Sequence, residues 1–141
     1  LFVSLFINSV FSCFVTTIPL VLEKPSFGLA SQQDAVYYTG LLFGCGAVVG
    51  SFTLAFLFNP IQNSVGLIKT VYIGTFISFL GHVHMSFQTT LFGMSIGFCI
   101  FMIGIQLTRP ANIAHLTNIV PTEFTARAIA MPTIASSIAG L

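Results

Sequence analysis

Two stretches of this chain, residues 1–22 and 35–58, contain no charged residue, and nothing else in the sequence restricts the fold as much. Wound as a helix, 22 residues reach about 33 Å, enough to cross a hydrocarbon core about 30 Å thick. Charge is scarce throughout: 5% of the 141 residues are Asp, Glu, Lys or Arg, against about a quarter in a soluble domain. A chain this poor in charge cannot coat a water-facing surface, so a lipid bilayer is its expected surroundings. A formal net charge of +1 with no basic cluster removes the electrostatic footprint of a nucleic-acid binder.

Turn residues divide the apolar runs. After the first run, Glu23 to Asp34 is polar and holds Pro25 and Gly28, which reads as an exposed loop. Ser31 and Asp34 form an S-x-x-D capping pattern, so a helix should open close by. The run over 35–58 carries Gly40, Gly44, Gly46 and Gly50, giving two G-x-x-x-G spacings of the kind that lets membrane helices approach closely. Asn59-Pro60 should end it, with 61–66 a short turn. A third run covers 67–87, with Lys69 placed to snorkel, and a fourth covers 91–119. A fifth helix should occupy 127–141, where Pro132 and several small residues suit a kinked, tightly packed membrane helix.

No segment shows the ten-residue alternation of a membrane β-barrel. The expected fold is therefore all-α, a multi-span transmembrane helical bundle of about five helices in one domain, 1–141. The opening run lacks a basic leader and is too long for the core of a signal peptide. The chain begins and ends inside apolar runs, which reads as a fragment of something longer. Basic residues favour the loops after the second and fourth helices (Lys69, Arg127 and Arg109) as the cytoplasmic ones.

Arg109 carries the functional argument. A charge at the centre of a membrane helix costs about 2.5–3.5 kcal/mol on insertion scales and is usually kept for a purpose. Gln106, Arg109, Asn112 and His115 follow one another at three-residue intervals, a slowly drifting polar stripe on the fourth helix. Pro110 should loosen the backbone beside Arg109, as in the discontinuous helices of transporters. In that reading Arg109 attracts an anion or carboxylate while Gln106 and Asn112 orient it. The competing reading places Arg109 about 27 Å from Leu91, almost a bilayer away, where it would only snorkel to the interface. His82 and His84, two apart near the end of the third helix, read mainly as structural, as does Asp34 through its cap.

Cys13, Cys45 and Cys99 lie in apolar runs without C-x-x-C spacing and read as packing residues. No H-E-x-x-H, G-x-S-x-G or phosphate-cradling glycine loop is present, and no paired intramembrane carboxylates. Catalysis, a metal site and a cofactor are not expected.

The loop Pro121-Thr122-Glu123-Phe124-Thr125-Ala126-Arg127-Ala128 has the P-x-E-x-x-A-R-A form. With long helices and short loops around it, it resembles one half of a major facilitator superfamily transporter. Phe11, Ile18 and Pro19, with the S-Q-x-x-A-V-x-Y-x-G run of Ser31, Gln32, Ala35, Val36, Tyr38 and Gly40, are similar to the seventh and eighth helices of its endolysosomal, ceroid-lipofuscinosis-type branch. The segment Asn59 to Gly66 departs from the Asp-Arg-containing motif of that superfamily and keeps only Gly66 and the following Lys69. That fits the degenerate copy after the eighth helix better than the N-terminal one.

The resemblance implies a partial major facilitator fold corresponding to helices seven to eleven. It also implies an N-terminal half of the same transporter as partner, an endosomal or lysosomal membrane as location, and a small solute or ion as substrate. Secondary transport by alternating access is the expected function. An anion-permeable channel and a non-transporting membrane scaffold are the alternatives.

Overall fold

The structure, a computed structural model, describes residues 2–29, 31–126, 129–130 and 134. Among them all regular structure is helical: α1 (Phe2–Leu22), α2 (Gln32–Phe52), a π-helical segment (Thr53–Phe58), α3 (Asn59–Val65), α4 (Leu67–Ser86) and α5 (Leu91–Ile119). Single 3-10 turns over Pro25–Phe27 and Thr122–Phe124 complete the set. The helix expected over 127–141 lies outside the described residues apart from positions 129, 130 and 134.

α2 opens at Gln32, three residues earlier than the apolar run suggested, because Ser31 supplies the cap. The Ser31 hydroxyl accepts from the Asp34 backbone N–H at 3.2 Å and donates to the Asp34 carboxylate at 2.9 Å. Its far end corrects the sequence reading. Asn59-Pro60 does not stop the helix, and 61–66 is no turn, since Gln32–Val65 is continuous helix for 34 residues. The physical reason lies one turn upstream. Pro60 has no N–H for the Phe56 carbonyl and crowds it with its ring. Phe56 lies inside the π segment, whose wider winding accommodates both defects without breaking the rod. The break comes instead at Gly66, whose φ of 85° allows a reversal that would strain other residues.

α5 is the shared element. α1, α2 and α4 all pack on it, and 56% of its apolar window is buried against 22% for Gln32–Val65. α4 runs antiparallel to α5 along a seam of glycines spaced seven apart, two turns on each helix. Gly74 faces Gly104, and Gly81 faces Gly97. A Cβ on Gly81 would meet the Phe101 backbone nitrogen at 2.5 Å and the Gly97 carbonyl at 2.8 Å, so backbone touches backbone there. α2 lies parallel to α5, with Gly46 against Phe98 and Met102 and Gly50 against Gln106. Only half of the glycine pattern read on α2 is therefore used for packing, because Gly40 and Gly44 have nothing within 4 Å.

At the end where α1 and α4 finish and α2 and α5 begin, the core is aromatic. Phe14 stacks on Phe98 at 5.5 Å, Phe43 meets Phe98 edge-on at 5.2 Å, and His82 sits between Phe14 at 5.2 Å and Phe101 at 4.7 Å. The outer surface is apolar as well: Val48, Phe52, Tyr72, Phe76 and Phe79 all project outward. Gln32–Val65 and Leu91–Ile119 are each long and apolar enough, by length and composition, to cross a membrane. These two spans are compatible with association of the chain with a membrane.

Candidate functional site

Toward the other end of the bundle the interior changes character. The buried polar side chains Thr53, Thr70, Thr108 and Asn112 all lie there, contributed by three different helical segments. Their common level follows from the packing. Gly50 sits against Gln106 on a parallel helix, so Thr53, three residues on, is level with Arg109. Gly74 sits against Gly104 and Thr108 on an antiparallel helix, so Thr70, one turn back, lies level with the turn from Thr108 to Asn112. One layer of the bundle thus concentrates polar groups in an otherwise apolar interior.

Each of the three threonines is satisfied within its own helix. Thr53 donates to the Val49 carbonyl at 2.9 Å, Thr70 to Gly66 at 2.8 Å and Thr108 to Gly104 at 2.8 Å. Each hydroxyl proton is thereby spent within its own helix, which lets a polar side chain be buried there. Between the glycine pairs of the seam, Ser78 donates across to the Phe101 carbonyl at 3.4 Å. The π segment begins at Thr53, at the level of Arg109. A single π turn inside a long helix is frequently found at functional positions.

The residues singled out in the sequence occupy this half of α5 but do not share one face. Gln106 is half-buried and covers Gly50, Arg109 is exposed, Asn112 is buried, and His115 is half-buried. At about 100° per residue, each three-residue step turns back about 60°, so Gln106 and His115 point about 180° apart. The stripe winds halfway round the helix. Arg109 is about 60° from both Gln106 and Asn112, its neighbours on either side. Pro110 does not interrupt α5, which continues as regular helix for 29 residues. Pro110 still withholds a donor from the Gln106 carbonyl, while the change of helix type at this level lies across the interface in the π segment.

No family model, curated protein or solved structure matches this chain. The chemistry of the polar layer has to be read from its own residues.

The remaining candidates have structural settings. Asp34 completes the α2 cap. His82 is a ring in the aromatic core, while His84 presses on Gly97 with its Nε2 shielded and unpartnered among the described residues. Cys13 and Cys45 are exposed and Cys99 half-exposed, all three as free thiols. Among the described residues no group of three His, Cys, Asp or Glu side chains is placed to hold a metal.

Sequence reasoning missed Thr53, Thr70 and Thr108. Their only signal is a threonine inside an apolar run, which is common and by itself uninformative. They acquire meaning when three segments place them at one height.

Proposed function

We propose that this chain is part of a membrane secondary transporter that moves a small solute by alternating access. The observation that carries the reading is the polar layer of Thr53, Thr70, Thr108 and Asn112, level with Arg109, inside a bundle whose outer surface is large and apolar. Polar groups inside and apolar side chains outside is the arrangement of a protein that keeps a polar path away from lipid. In transporters, solute sites lie next to irregular helix, and here the π segment supplies the irregularity.

Two positive charges stand at this level, Lys69 beside Thr70 and Arg109 itself, and they make an anion or carboxylate the preferred solute, held by Arg109. Gln106 and Asn112 lie one step to either side of it on the helix and would orient the bound group. His115 faces away from Gln106 and would contact only a solute passing along the helix. The resemblance of the Pro121–Arg127 loop to the major facilitator superfamily agrees with this reading, and would make the other half of such a transporter the partner that closes the site. An endosomal or lysosomal membrane follows from the same resemblance.

The test is uptake of radiolabelled small carboxylates and inorganic anions into proteoliposomes. Arg109→Gln should lower saturable anion uptake by about 10- to 100-fold, the loss of one charge-assisted hydrogen bond, with Arg109→Lys intermediate. Equal uptake by wild type and Arg109→Gln would remove the anion site. Large unitary currents in place of saturable, counter-ion-coupled uptake would make the protein a pore.

A further inference from the structure

The opposite end of the bundle holds a cavity, separate from the polar layer. It measures about 500 Å³ and lies between α1, α4 and α5 beneath the α1–α2 loop. That volume is within the range of about 300–1,000 Å³ typical of pockets that take a small molecule. Its floor is apolar, built by Phe14, Ile18, Phe27 and Met94, while Lys24, Ser26, Gln88 and Thr89 stand at its rim. Lys24 alone among the described lining residues carries a fixed charge. Its acidic neighbour Glu23 turns to a different, shallow depression with Ser31 and Gln32.

The rim is built rigidly. Pro25 opens the 3-10 turn and holds Lys24 in an extended conformation at φ −63° and ψ 140°. Gly28 closes that turn at φ 68° by donating to the Pro25 carbonyl at 3.1 Å. Phe27 between them is buried in the core, so the loop is pinned. On the other side Thr90 caps α5, accepting from Gly93 N–H at 3.2 Å, and fixes the turn that carries Gln88 and Thr89.

We infer that this cavity binds a single-chain amphiphile with an anionic head, the chain lying on Phe14, Ile18 and Met94 and the carboxylate or phosphate at Lys24. A deep apolar floor under one cation and a few hydroxyl and amide groups matches an amphiphile part by part. A fully polar solute would leave the floor unused, and a neutral hydrocarbon would leave the rim unpaired. The lysine lies at a helix end, where its ammonium stays hydrated while its stem follows the apolar wall. The site owes nothing to Arg109 and does not rest on the transport reading.

The experiment is photolabelling of the whole chain in nanodiscs with dodecanoate bearing a diazirine near its methyl end, followed by mass-spectrometric mapping. Adducts should concentrate on Phe14, Ile18 and Met94 and be competed by unlabelled dodecanoate or dodecyl phosphate, whichever head the rim prefers. Dodecanol and dodecyltrimethylammonium should compete about fivefold less well, the worth of one partly exposed ion pair. Lys24→Gln should lower labelling by a similar factor and Lys24→Arg should preserve it. Ser26→Trp, in an exposed turn, should block entry with helicity by circular dichroism unchanged. Labelling spread over Val48, Phe76 and Phe79 and indifferent to Lys24→Gln, or competition by dodecanol as strong as by dodecanoate, would overturn the assignment.

Discussion

A glycine that touches another helix and a glycine that faces open space look identical in the sequence, yet their substitutions should part company. At Gly81 a methyl group would collide with backbone atoms of Phe101 and Gly97, which cannot rotate away. Gly81→Ala should therefore cost about 1–3 kcal/mol by forcing α4 off α5. At Gly40 nothing lies within 4 Å, and alanine should stabilise the helix by up to about 1 kcal/mol through its better propensity. Equilibrium unfolding in mixed micelles would give both values, and the sign difference is the point of the comparison. Gly46 meets side chains rather than backbone, the ring edge of Phe98 and the Cγ of Met102, both of them buried.

This contrast also shows how far the residues could be read beforehand. The G-x-x-x-G spacings on α2 drew attention to the run from Gly40 to Gly50, but close approach is a property of two helices. The seam that matters most joins Gly74 and Gly81 to Gly104 and Gly97 at seven-residue spacing. Nothing along either strand of sequence announces its counterpart on the other.

Among the elements, start signals were legible where they are local. Ser31 and Asp34 cap α2 through bonds within one turn, and Ser31→Ala should cost about 1 kcal/mol and speed amide exchange in the first turn from Gln32. The end of the same helix was not legible. Asn59-Pro60 signals a stop by local rules, but the π segment over Thr53–Phe58 absorbs the proline and the helix continues to Val65. Pro60→Ala should let that segment regain ordinary helical bonding, and hydrogen exchange over 53–58 should slow. Unchanged exchange there would mean that packing of Thr53 against α5 imposes the wider turn. Pro110 makes the converse case, because α5 carries it without interruption.

For the whole molecule, the distribution of polarity is what the sequence implied most directly and the structure gives in most detail. Low charge and long apolar runs required helices with apolar exteriors. Which polar residues would share a layer was not readable, because Thr53, Thr70 and Thr108 are 17 or more residues apart and meet only through the antiparallel α4–α5 and parallel α2–α5 registers. Arg109 and Asn112 stood out because charge and amide are costly in an apolar run, whereas threonine is cheap there.

The account depends on that outer surface facing lipid, and spin-label accessibility measures it directly. Nitroxides at Val48, Phe76 and Phe79, exposed on α2 and α4, should in reconstituted bilayers collide readily with oxygen and poorly with a water-soluble nickel chelate, while a label at Ser26 shows the reverse. Nickel accessibility at all three apolar positions equal to that at Ser26 would contradict the account.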